Sequence, residues 1–409
     1  MNPAHQWGRC LPCLRFQICL ACLAYSLHCV TGPSNEPLAY LDCAASTPLR
    51  PAVLDAMMPF FTEHYGNPSG GHRLARRSRA AIDDAREFAA EAIGFGPHDI
   101  IFTGGGTEAD NLAVSGLRGN GVAVCLATEH HAVLHPVEHH VGRVVGVDIH
   151  GVVDFDALEA ALDDDVTVVS TMLVNNESGV IQPLDKIVER VRELAPHAAI
   201  HTDAVQAMTW LDIAELTKGV DALSLSGHKF GAPKGVGLLA VRNGVKLDAQ
   251  LLGGGQEADR RSGTHDTPSI VGLGEAMRMT VAERAETVVR LAAERNRLVD
   301  GIAAQVTGVV ETAPREQRVA GIAQLVIDDI VSEALLVLLE RGGVMASAAS
   351  SCASGALDPS HVLAAMGWAR DKAQGSLRLS LGWCSTPADV DTALEVVPPA
   401  IRQLRGEVI

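Results

Sequence analysis

The amino-acid sequence predicts an α/β fold, with a large domain around a mainly parallel sheet and a smaller α+β domain after it. Two patterns carry this reading. From Leu38 onward, short apolar runs alternate with amphipathic helical stretches, the order in which strand-helix-strand crossovers build a sheet. A long charged helix near residues 270–306 then separates this region from one whose elements follow a different order. With 409 residues, 47% of them hydrophobic and 20% charged, the chain has enough apolar material for more than one core.

The strands are read at 100–103, 122–127, 144–149, 166–172, 198–202, 222–226 and 236–241, from their short, mainly apolar runs. Between them, helical patterns at 73–93, 155–162 and 183–194 have lengths that suit crossover connections. The second region holds strands near 322–327 and 377–381 and helices near 331–341 and 387–404. The last helix has a readable start: Thr386 can cap it, Pro387 fits its first turn, and Asp389 favours its positive end. The domain division expected is 50–287 for the large unit and 37–49 with 288–409 for the small one. No internal repeat or extended low-complexity tract interrupts this order.

A formal charge of −16 argues against general affinity for DNA, other nucleic acids or anionic membrane surfaces. Internal apolar runs are all broken well short of the roughly 20 residues that span a bilayer. Five of the nine cysteines (Cys10, Cys13, Cys19, Cys22 and Cys29) crowd the first thirty residues, leaving Cys43, Cys125, Cys352 and Cys384 for a body of reduced, cytoplasmic type. Residues 1–36 resemble a signal peptide superficially, and their two CxxC pairs suggest a metal site, but neither motif has support around it. They are read as an unstructured extension.

Lys229, in Ser224-Leu225-Ser226-Gly227-His228-Lys229, stands just beyond a buried strand, where α/β sheets collect ligands. A lysine in such a place is more often a solvated loop residue. Its company points elsewhere. Asp203 ends another strand, where a carboxylate can pair with the ring nitrogen of pyridoxal 5'-phosphate, and Gln206 follows within reach of the ring hydroxyl. Thr103-Gly104-Gly105-Gly106-Thr107-Glu108 offers a phosphate cradle of strand end, glycines and helix N-terminus. Ser226 and His228 can add donors, and His130 can stack on the ring.

Several segments carry a resemblance in register: Tyr40-Leu41-Asp42, Gly66-Asn67-Pro68-Ser69, Thr107-Glu108-Ala109-Asp110-Asn111, Glu129-His130-His131-Ala132-Val133, Val174-Asn175-Asn176-Glu177, Ser226-Gly227-His228-Lys229 and Arg261-Ser262-Gly263-Thr264. Together they resemble the cysteine desulfurases of the bacterial housekeeping type, from about residue 40 to 405. The resemblance implies a pyridoxal-phosphate fold type I homodimer of the class V aminotransferase kind. It implies that Lys229 carries the cofactor, that Asp203 pairs with its ring nitrogen, and that Gln206 and Asn176 contact its hydroxyl region. Gly106, Thr107, Ser226 and His228 would bind the phosphate, with Thr264 supplied across the dimer interface, and His130 would stack on the ring and assist proton transfer.

Residues 342–355 are almost all small and read as a mobile loop, so Cys352 can meet substrate sulfur at the cofactor and present it elsewhere. The following Pro359-Ser360-His361-Val362-Leu363 resembles the segment after the family's catalytic cysteine, and Arg378 matches the arginine that grips the substrate carboxylate. The activity implied is conversion of L-cysteine to L-alanine, with sulfur passed to Cys352 and then to an acceptor protein such as an iron-sulfur scaffold or a thiolation enzyme. A selenocysteine lyase or related aminotransferase is the enzymatic alternative, and a non-catalytic carrier-binding protein the alternative of another class. The sequence departs from the family at three points: the triple glycine of the cradle, the two serines before Cys352, and Cys43, where an aromatic, His or Asn is usual.

Overall fold

A computed structural model describes residues 38–349 and 360–407. In chain order the elements are β1 (Ala39–Tyr40), α1 (Pro51–Thr62), α2 (Arg73–Ile93), β2 (Ile100–Thr103), α3 (Gly106–Arg118), β3 (Val122–Leu126), α4 (His131–His139), β4 (Arg143–Val145), α5 (Phe155–Ala161), β5 (Val166–Ser170), α6 (Leu184–Leu194) and β6 (Ala199–Asp203). There follow α7 (Ile213–Leu216), β7 (Ala222–Ser226), β8 (Gly237–Val241), α8 (Thr267–Ala303), β9 (Val309–Glu311), β10 (Ile322–Ile327), α9 (Ser332–Arg341), β11 (Val344–Met345), α10 (His361–Ala365), α11 (Arg370–Ala373), β12 (Ser376–Ser380) and α12 (Pro387–Leu404).

Seven strands form the main sheet in the order β2-β8-β7-β6-β5-β3-β4. Only β8 runs against its neighbours, so the other six point their C-terminal ends at one edge. Side chains alternate between two buried faces, as a strand's period of two requires. Ile100, Phe102, Leu223, Leu225 and Leu238 join one cluster, roofed by Ile82, Ile93, Leu273 and Met277 from α2 and α8. Ile101, Ala222, Leu239 and Val241 join the opposite one with Leu112 and Val114 of α3.

A three-stranded antiparallel sheet, β9-β10-β12, packs with α9, α12 and the second half of α8 around a separate cluster that includes Leu325, Leu377, Leu335 and Val397. The short β1 pairs in parallel with β11, and Leu41 lies in that same cluster. The segment just after β1 therefore passes from the small sheet toward the large one.

Local chemistry sets the ends of several helices. Gly94 takes the left-handed conformation (φ 73°) that stops α2. The Asp389 carboxylate accepts the Thr386 N–H at 2.7 Å and the Thr386 hydroxyl at 2.9 Å, with Pro387 opening α12. The long helix begins at Thr267, three residues before its expected start, because Asp266 accepts the Ser269 N–H at 3.2 Å and Pro268 fits the first turn. The strand expected at 144–149 is only β4, Arg143–Val145. It is an edge strand whose partner β3 ends at Leu126, and beyond it Val147 bridges Val153 while Ile149 is exposed.

Candidate active site

Five of the co-directional strands end around one cavity of 670 Å³. Each strand hands over to a turn that carries polar side chains, as expected at the carboxyl ends of strands in an open α/β sheet. After β2 come Gly104, Gly105, Gly106 and Thr107; after β3, His130 and His131; after β5, Met172, Asn176 and Glu177. Asp203 is the last residue of β6 and Gln206 follows it, while Ser226 ends β7 and leads through a single tight turn to Lys229. The small sheet closes the cavity with Arg378 from β12, joined by His361 from the start of α10.

Lys229 Nζ donates to the carbonyls of Ala44 at 2.7 Å and Ala45 at 3.0 Å. Burial, aided by the positive charge of Arg378, lowers its pKa to about 8, so roughly a tenth of the amine is uncharged at pH 7. Burial also pushes the Asp203 carboxyl above its ordinary range, against the opposing pull of the Val205 N–H and the Lys229 charge. One Asp203 oxygen accepts that N–H at 2.8 Å in a local turn. Behind it on the same strand, His201 bridges Ser170 and Ser224, each at 2.8 Å, and burial lowers its pKa to about 3. The floor under Asp203 is thus neutral at His201.

His130 caps α4, its Nδ1 accepting the Ala132 N–H at 3.1 Å. Burial and nearby Lys229 lower its pKa to about 4. The ring is therefore neutral near pH 7, and with Nδ1 an acceptor its proton resides on Nε2. The same two causes lower His228 to about 4.

The glycine cradle is shaped by close approach. A Cβ on Gly106 would meet Val205 Cγ2 at 2.9 Å and Ser226 Cβ at 3.1 Å, and Gly105 sits at φ 140°. Among the described residues the first turn of α3 has no side-chain cap, which leaves its N–H groups facing an anion site beside Ser226 and His228. Arg378 is 5% exposed, donating to Asp42 Oδ1 at 2.6 Å and to the Asn176 carbonyl at 3.0 Å. Its Nε is buried without a protein partner among the described residues. An anion cradle, an amine held in a buried turn, a carboxylate opposite and an orphaned guanidinium N–H fit pyridoxal 5'-phosphate and an amino-acid carboxylate.

Of the residues read from the sequence, Gly106, Thr107, His130, Asn176, Asp203, Gln206, Ser226, His228, Lys229 and Arg378 all line this cavity. Thr264 does not; it is exposed in the segment before α8. Cys352 lies outside the described residues. Arg378 is also in a part-buried ion pair with Asp42. Gln206 Nε2 donates to the Ala44 carbonyl at 2.7 Å, a contact between residues far apart in sequence.

The sequence reading passed over Asp42, Ala44, Ala45, Asp110, Glu177 and His361 as site residues. Glu177 is 4% exposed, and its Oε2 accepts Ser360 Oγ and, at 3.3 Å, Gln324 Nε2. Burial raises its pKa to about 7. Its position beside Asn176 was the available signal. Ala44 and Ala45 act through backbone carbonyls and gave none.

The family model for class-V aminotransferases matches residues 39–393. A cysteine desulfurase IscS of Methanosarcina thermophila is 43% identical over 383 residues, 91% of this chain and 94% of that protein. An IscS-like cysteine desulfurase of Mycobacterium tuberculosis is 42% identical over 385 residues, 90% of this chain and 97% of that protein. Among solved structures, a NifS-like protein superposes with a TM-score of 0.82 at 33% identity, covering 88% of this chain and 98% of the other. A second, described as SspA in complex with cysteine, gives a TM-score of 0.74 at 30% identity, covering 84% and 98%.

Proposed function

The chain belongs to the class-V aminotransferase family and within it to the pyridoxal-phosphate-dependent cysteine desulfurases, and from this membership we propose how its own residues convert L-cysteine to L-alanine. The observation that carries the reading is the convergence of Lys229, Asp203 and Arg378 on one cavity beside an uncapped helix N-terminus. Bound through Lys229, the cofactor's protonated ring supplies an electron sink for the substrate's Cα and Cβ.

Gly106, Thr107, Ser226 and His228 would hold the phosphate, and Asp203 would hold the ring-nitrogen proton. Gln206 and Asn176 would face the ring hydroxyl. Arg378 takes the substrate carboxylate with its planar fork, using the Nε that has no protein partner among the described residues. Lys229 Nζ moves the proton at Cα, because an amine with a pKa of about 8 can accept and return one near neutrality. His130, neutral and protonated at Nε2, would stack on the ring and assist that proton management. The Cys352 thiolate attacks the substrate sulfur: an S–S bond forms, the S–Cβ bond breaks, and its electron pair stays on carbon to be protonated.

The same reading extends to assembly and place. A homodimer would bring Thr264 to the partner's phosphate. In support, Leu251 and Leu252 of the same exposed segment are 47% and 84% exposed, and Arg261 ties that segment to Glu108 in α3 at 2.7 Å, beside the cradle. The domain division at 50–287 and 37–49 with 288–409 is supported by the separate clusters under the large and small sheets. Among the described residues no helix is long and apolar enough to cross a membrane, and Cys43, Cys125 and Cys384 are free thiols. Both suit a cytoplasmic enzyme that hands its sulfur to an acceptor protein such as an iron-sulfur scaffold or a thiolation enzyme.

The test is Cys352→Ser. The variant should bind cysteine, since Arg378 and Lys229 remain, but neither release sulfide nor carry a persulfide by mass spectrometry. Sulfide release at the parental rate, or a parental persulfide mapped to another cysteine, would refute the assignment.

A further inference from the structure

Cys43 and Cys384 are 341 positions apart, yet their Sγ atoms lie 3.9 Å from one another. Cys43 stands in the turn after β1 and is 4% exposed. Cys384 is half-buried in the loop after β12. The backbone makes room for this pair: a Cβ on Gly382 would come within 2.7 Å of the Cys43 sulfur and 2.9 Å of its Cβ. Ser385 Oγ lies 4.0 Å from the same sulfur. Neither thiol has a part in the cysteine chemistry above.

We propose that Cys43 and Cys384 form a reversible redox site, whose disulfide displaces the segment 42–47 and slows turnover. The oxidant class is a peroxide. The Cys384 thiolate attacks one peroxide oxygen, giving a sulfenic acid and releasing hydroxide. The Cys43 thiol then attacks the Cys384 sulfur, and the oxygen leaves as water. Two thiols lose two electrons and two protons in all, and one hydrogen peroxide becomes two waters.

The division of labour follows from the surroundings. Cys384 is the more exposed of the two, and its hydrogen bond with Cys43 lowers its pKa, whereas that same contact and burial raise the Cys43 thiol. Attack therefore begins at Cys384. A sulfur–sulfur bond is about 2 Å long, so the two side chains must close roughly half their present separation. The pull falls on the chain between Asp42, which pairs with Arg378 at 2.6 Å, and Ala44 and Ala45, whose carbonyls hold Lys229.

The effect on turnover rests on the desulfurase reading, whereas the cross-link does not. The full-length holoenzyme and its Cys384→Ser variant are treated with hydrogen peroxide, blocked with an alkylating agent and digested without reductant. The parental protein should yield a linked Cys43–Cys384 peptide, migrate faster on a non-reducing denaturing gel, and lose activity several-fold more than Cys384→Ser, with the excess loss restored by dithiothreitol. Oxidation of Cys352 is common to both proteins, so the difference between them reads the pair alone. Oxidised Cys384 without the linked peptide overturns the site. A linked peptide with equal activity losses in the two proteins overturns its control of turnover.

Discussion

Replacing Glu177 with Gln should change the pH dependence of stability in a direction the structure dictates. Burial raises the Glu177 pKa from its ordinary 4.5 to about 7, against the lowering effects of Ser360, Arg378 and Gln324. Because the folded state favours the protonated acid, this group's stabilising contribution is complete below about pH 4.5 and lost as pH rises through about 7. At about 1.4 kcal/mol per pH unit, the loss amounts to about 3 kcal/mol at most. A glutamine keeps a carbonyl oxygen to accept from Ser360 and Gln324 and carries no charge. Urea unfolding of both proteins at pH 5 and pH 8 should therefore show Glu177→Gln gaining on the parental chain by about 2 kcal/mol or more between the two pH values. Titrations common to both cancel in this difference. A difference that does not change with pH would refute the claim that Glu177 is buried as an acid.

Lys229→Ala should abolish covalent cofactor attachment while circular dichroism reports an intact fold, and a borohydride-reducible adduct in the variant would contradict the assignment. Arg378→Lys should keep the charge but lose the planar fork; losing a charge-assisted hydrogen bond worth about 2 kcal/mol implies roughly 30-fold in kcat/KM for cysteine, carried mainly by KM. An unchanged KM would place the carboxylate elsewhere. Dilution to monomers should weaken cofactor retention if Thr264 completes the partner's site, and a fully active monomer in light scattering would exclude that contribution.

The strands of the large sheet were legible because burial on both faces leaves near-continuous apolar runs, as in Ile100-Ile101-Phe102 and Ala222-Leu223-Ser224-Leu225. The start of α12 was equally plain, since Thr386, Pro387 and Asp389 each act within one turn. The two-residue strands β1 and β11 were not, because so short a pairing has no periodicity to display. At the site, chemistry-bearing side chains at strand ends announced themselves: Asp203 and Ser226 end strands, and Lys229 lies just past the end of β7. Contacts made by main-chain carbonyls leave no trace in side-chain pattern, so the grip of Ala44 and Ala45 on Lys229 was hidden. Nor did the sequence show that Asp42 holds Arg378, since the partners are 336 positions apart.

That last pairing bears on how the protein is made. The lysine at 229 rests on carbonyls near residue 44, and the turn bearing them is fixed by β12, through the Cys43 N–H on the Ser380 carbonyl at 3.1 Å and the Ala44 N–H on the Ser380 hydroxyl at 2.9 Å. On a ribosome, the main sheet has all its strands once residue 241 emerges, when Gln206 and His228 can already meet the turn at 44–47, and β12 adds its hold only when the chain reaches about 380. Such distant contacts close slowly. A nascent chain stalled before β12 would therefore present Lys229 with this turn held from the large domain alone.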